Sequence, residues 1–195
     1  MKKLCFVVQG VTFLKSIFTL ILFSNNEKIK PVIFCMRKRS GKSYDNLDQK
    51  KDYIENLIRE FKVNCEVVWC DNQNQALDYM MKNNLRSIVC QDAHKHGKVF
   101  CDNPEISVFS IGVGFDTLHH ANDVRLGRIK NQSYPDIVYF PSEKIKDKFL
   151  DLVGSYPSKL VSVGSPIFDH EFFVNKVKKD RKVVTFFVTL QSLVT

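Results

Sequence analysis

Leu4-Cys5-Phe6-Val7-Val8-Gln9-Gly10 is an apolar run that stops at a glycine, and Phe13, Leu14, Ile17, Phe18 and Ile21 follow it at helical spacing. An uninterrupted apolar run closed by a turn residue suits a strand covered on both faces, and the period that follows suits a helix packed on it. A second run, Pro31 to Met36, leads through the polar stretch Arg37 to Asp48 into Tyr53, Ile54, Leu57, Ile58 and Phe61, again on one helical face. Strand, helix and strand in this order make a βαβ unit.

The pattern then repeats. Cys65 to Cys70 reads as a strand, Gln73 to Asn83 as a helix and Ser87 to Gln91 as a strand, so three helices alternate with four strands up to Gln91. Such alternation predicts an α/β fold of Rossmann-like type, a mostly parallel doubly wound sheet with helices on both faces. Right-handed crossovers then gather the functional loops at the strand C-termini, starting at Gln9, Arg37, Asp71 and Gln91. Further strands are expected over Ile106 to Val113, Asp136 to Phe140 and Leu160 to Val163. Between the first two, Gly114 to Ser133 lacks a clean period and reads as a functional loop with a short helix. Ser142-Glu143 starts a helix that Gly154 ends, by the usual start and stop signals.

The rest of the composition narrows the class. Of the 195 residues 44% are hydrophobic and sixteen are Phe, which excludes a disordered or low-complexity chain. The six cysteines lie mostly inside apolar runs and form no C-x-x-C pair, so they read as buried thiols in a reducing compartment, and a cytoplasmic location is expected. Met1-Lys2-Lys3 before an apolar run resembles a leader or an anchor. Gly10 and Lys15 interrupt that run, however, Val11 to Phe23 is too short to span a bilayer, and no small-residue cleavage site follows. The net charge of +8 is spread over several segments without the aromatic interleaving of an RNA-binding stripe. Nucleic acid is therefore not an expected partner, and peripheral contact with an anionic membrane surface stays open.

Near the carboxy-terminal end, Val163-Gly164-Ser165-Pro166-Ile167-Phe168-Asp169 leaves a strand. A helix from His170 to Lys178, the basic stretch Lys178 to Lys182 and a strand over Val183 to Val188 are expected after it. This arrangement resembles the domain crossover of GT-B-type glycosyltransferases, in the group of UDP-N-acetylglucosamine 2-epimerases and CDP-glycerol glycerophosphotransferase-like enzymes. Their first domain often ends in G-x-P-x-x-D, here Gly164, Pro166 and Asp169. The resemblance implies that residues 1–177 form a Rossmann-like, acceptor-side amino-terminal domain, and that 178–195 are a basic hinge and the first strand of a missing second domain. It further implies a transferase acting on a nucleotide-activated sugar or polyol phosphate and an acceptor, inactive without the second half. The glutamate and arginine of the E-A-G-L-R segment found in the epimerases are absent, which points away from epimerase chemistry.

Candidate site residues follow from the strand exits. Asp92 and His94 are candidate catalytic bases beside the end of a strand, because imidazole titrates near neutrality and a crevice carboxylate can be tuned upward. With His96 they form D-x-H-x-H, whose alternate spacing would point all three one way if the strand ran on. That set would suit a metal-dependent hydrolase, although the transferase scheme needs no metal and no cofactor. Gly10, Gly112, Gly114, Asp116 and His119 are candidate substrate-binding residues, the glycines because they let a ligand approach the backbone closely and leave N–H groups for phosphate or sugar oxygens. A non-catalytic Rossmann-like binding module is the alternative reading.

Overall fold

The computed structural model describes residues 2–37, 50–91, 93, 97–112, 115–127 and 133–164, with the backbone alone at 12, 15, 16, 115–117, 119 and 120. The strands are β1 (Lys3–Val8), β2 (Lys30–Met36), β3 (Glu66–Cys70), β4 (Ser87–Gln91), β5 (Ser107–Ile111), β6 (Ile137–Phe140) and β7 (Lys159–Ser162). Between them lie α1 (Val11–Asn26), α2 (Lys51–Glu60), α3 (Gln73–Lys82), α4 (Lys98–Cys101), α5 (Phe115–Arg125) and α6 (Glu143–Val153). The strands pair in the order β3-β2-β1-β4-β5-β6-β7, every pairing parallel. This is the doubly wound order with one further strand at its edge, and it defines a Rossmann-like α/β protein.

The chain first winds outward from β1 to β3, then crosses back to β4 and winds the other way. Because right-handed crossovers in opposite directions place helices on opposite faces, the reversal decides which face each helix covers. On the first face, Phe6, Val8, Ile33 and Cys35 pack against Phe13, Leu14, Ile17, Phe18 and Ile21 of α1 and Ile54 of α2. Phe18 meets Phe61 edge to face, ring centres 5.2 Å apart. On the opposite face, Cys5, Val7, Phe34, Ile88, Cys90 and Val108 pack against Ala76 and Met80 of α3 and Phe100 of α4. The same face continues through β6, where Val138, in register with Ser110, and Phe140 meet Ala121 of α5 and Phe149 of α6.

The helix ends follow their local chemistry. The Asn72 side chain accepts the amide of Gln75 at 3.0 Å and starts α3, and Ser142 accepts that of Ile145 at 3.3 Å and starts α6. Gly154, at φ 75°, ends α6 in a backbone region that suits glycine. Two elements differ from the sequence expectation. The stretch read as a loop with a short helix carries an eleven-residue helix, α5, and the four-residue α4 was not foreseen. Alpha4 makes a single turn, too short to show a period, and Phe100 fixes it by complete burial. The expected helix over 170–178 and strand over 183–188 lie outside the described residues. No helix among the described residues is long and apolar enough to cross a membrane.

Candidate functional site

The winding reverses between β1 and β4, and in doubly wound sheets the crevice at such a point, beyond the strand C-termini, is where ligands bind. Here Val7 and Gln9 from the β1 end, Phe13 from α1, and Cys90 and Gln91 from the β4 end enclose a small recess. Gly10 precedes α1 in an extended conformation, its carbonyl accepting the Leu14 amide at 3.1 Å, and the first turn of α1 holds no acidic residue. The sixteen-residue helix thus presents its positive end toward the crevice with no carboxylate in the first turn to offset it.

Asp92, His94 and His96, which follow β4 in sequence, lie outside the described residues. Their immediate frame is described. Beta4 ends at Gln91; the amide of Ala93 donates to the Ser110 hydroxyl at 3.0 Å, and the amide of Gly97 donates back to the carbonyl of Ala93. Both Ala93 and Ser110 are buried. Between Ala93 and Gly97 the chain closes a turn, and the expectation that Asp92, His94 and His96 point one way lies outside the described residues. Gly97 is required by close approach, since a Cβ there would meet the Ala93 carbonyl oxygen at 2.9 Å.

Gly112 is buried at the end of β5, and its amide donates to the Tyr139 carbonyl at 2.9 Å. The N–H expected to be free for a ligand is thus engaged between β5 and β6, and Gly112 can offer a ligand its carbonyl and close approach only. Gly114 lies outside the described residues. Asp116 and His119 are placed on α5, in its first turn and one position beyond that turn, and their side chains lie outside the described set.

Among the described residues no group of three His, Cys, Asp or Glu side chains is placed to hold a metal. The six thiols are free. Burial pushes Cys5, Cys35 and Cys101 up to about 12 and Cys70 up to about 11, and it raises Cys65 and Cys90 as well. Such thiols are poor nucleophiles, in keeping with a packing role.

A feature the sequence reading missed is a groove of about 560 Å³ along the α1 face of the sheet. Its floor is Val89, Phe109, Ile111 and Tyr139; Leu20 and Phe23 of α1 wall one side, and Val163 and Gly164 stand at the other. It is apolar and runs along the sheet face, whereas the crevice at the reversal lies beside the positive end of α1 and is the better candidate for a polar ligand. No protein-family description matches the chain, and no curated protein is significantly similar to it.

Proposed function

We propose that this chain forms the amino-terminal, acceptor-side part of a GT-B-like transferase acting on a nucleotide-activated sugar or polyol phosphate. The observation that carries the reading is the parallel order β3-β2-β1-β4-β5-β6-β7, with a crevice at its reversal lined by the ends of β1 and β4. The glycine of the G-x-P-x-x-D segment is consistent with it: Gly164 takes φ 89° two residues after β7, a value that favours glycine at a sharp exit.

In this scheme Asp92 or His94 accepts the proton of the acceptor hydroxyl as it attacks the activated carbon or phosphorus. The positive end of α1 at Gly10 attracts an anionic group, and helix dipoles and basic side chains stabilise the departing diphosphate. Gly112, Gly114, Asp116 and His119 flank the acceptor, and the second domain binds the nucleotide.

The test incubates the full-length protein with UDP-activated and CDP-activated donors while released nucleotide is measured. Donor-dependent release is expected, with Asp92→Asn or His94→Gln lowering kcat by about 100-fold or more, the usual scale for a lost general base. Absence of release with every donor, or full activity in both variants, refutes the assignment.

A further inference from the structure

On the α1 face of the sheet, Phe109 and Tyr139 border the core and stay half-buried. Phe23 of α1 and Val163 beyond β7, on opposite walls of the groove, are 58% and 60% exposed. The groove's volume of about 560 Å³ lies inside the range of about 300 to 1,000 Å³ typical of small-molecule sites. It shares no lining residue with the recess at the winding reversal, so its occupancy is independent of the transferase reading.

The charge of the groove lies at one end. Lys2 and Lys3 at the start of β1, Ser24 in the last turn of α1 and Ser87 at the start of β4 line it where the strands begin. Toward the strand ends the lining turns to Ile111, Tyr139 and Val163. Among the described residues no Asp or Glu lines it. The Lys3 ammonium stands 3.2 Å from Glu66, whereas Lys2 has no ion pair among the described residues. A cationic end and an apolar body suit an anion with an apolar tail: ammonium and hydroxyl donors meet the head, and the tail takes Phe109 and Tyr139 out of water. Ser87 pairs with Ser107, and from that level to Gly112 the groove extends about 16 Å, the reach of an extended chain of about twelve carbons.

We propose that this groove binds one long-chain fatty acid, with its carboxylate at Lys2 and its alkyl chain running past Phe109 and Tyr139 toward Val163. Phe109 and Tyr139 form part of a floor between walls, and that concave shape receives a single chain while holding a bilayer surface away from them.

The experiment titrates the full-length protein with dodecanoate, below its micelle concentration, by isothermal calorimetry. Octanoate and dodecyltrimethylammonium are the companion probes, differing from it in tail and in head. The expected result is saturable binding of one dodecanoate per chain. Octanoate should bind about 10- to 100-fold more weakly, as four methylenes fewer to bury require. The cationic probe should bind about tenfold more weakly, the scale of exchanging an exposed charge attraction for a repulsion. Lys2→Glu and Val163→Asp, both at exposed positions, should each weaken dodecanoate about tenfold, and Lys2→Glu should also strengthen the cationic probe. Absence of saturable binding overturns the proposal, as do equal affinity for the two heads or full affinity in either variant. Binding to phosphatidylglycerol vesicles without binding of monomeric dodecanoate would make a bilayer surface the partner and overturn it as well.

Discussion

Replacing Gly97 by alanine tests whether the turn after β4 is closed as described. A Cβ at this position would lie 2.9 Å from the carbonyl oxygen of Ala93, 3.1 Å from its Cα and 3.2 Å from its Cβ. Two of these are backbone atoms, which cannot swing aside as a long side chain would. The same carbonyl already accepts the Gly97 amide at 2.6 Å, so relieving the clash stretches that bond. The displacement passes on to Phe100 and Cys101, whose amides donate to the Gly97 carbonyl at 2.9 and 3.0 Å.

Overpacking of this kind costs about 1 to 3 kcal/mol, while alanine recovers about 0.5 to 1 kcal/mol by restricting the unfolded chain. Gly97→Ala should therefore lose about 1 to 2 kcal/mol. With a urea slope of about 2 kcal/mol per molar, the midpoint followed through the single tryptophan, Trp69, falls by about 0.5 to 1 M. Gly127→Ala is the control: its φ of 63° is strained for alanine but nothing lies within 4 Å, so about 1 kcal/mol is lost without disturbing the turn. Amide NMR signals of Ala93 and Phe100 should shift in the first variant and hold in the second. A Gly97→Ala midpoint equal to or above that of the parent, at unchanged slope, would refute the close approach.

Two further outcomes are expected. The Tyr79 hydroxyl and the Lys3 ammonium both hydrogen-bond the Glu66 carboxylate and hold it below its ordinary value of 4.5, so the contribution is complete above that pH and lost as pH falls through the lowered value. Glu66→Gln should cost about 1 kcal/mol at neutral pH, the scale of a partly exposed charged hydrogen bond. Its unfolding curve should approach the parent's as pH falls through that lowered value; a gap of undiminished size in acid contradicts the assignment. For the buried thiols Cys5, Cys35 and Cys90, a disulfide reagent at pH 8 should modify none in the folded protein and all after unfolding in urea. Rapid stoichiometric modification of any of the three in the native state would show that the core is not packed as described.

The sheet was legible because five of its strands are nearly unbroken apolar runs separated by helical periods, and those two patterns together leave little besides a parallel α/β arrangement. Beta4 was placed to the residue. Helix α5 was not, because Leu118 and Ala121, which pack on the core, stand amid polar residues in a stripe too faint to separate from a loop. The turn from Ala93 to Gly97 was not legible for another reason. The hydroxyl that accepts the Ala93 amide belongs to Ser110, seventeen residues on, and a long-range partner of that kind leaves no local trace. Gly97 was the available signal, a glycine closing a polar loop where close approach excludes a side chain. The groove was invisible in the pattern, since Phe109 and Tyr139 look like ordinary core residues until the strand order shows which face the helices leave open.

The reversal at β1 also sets an order of events during synthesis. Beta1 lies in the middle of the sheet, with β2 on one side through a nearby crossover and β4 on the other through the pairing of Cys5 with Ile88. The unit from β1 to β3, with α1 and α2, can collapse as soon as it leaves the ribosome. One edge of its first strand then stays unpaired until the segment holding Ile88 and Val89 has emerged. Pairings this distant in sequence are slow to form, and an unpaired apolar edge invites association with other chains. The interval between emergence of residue 36 and residue 91 is when a nascent chain most needs protection from its neighbours.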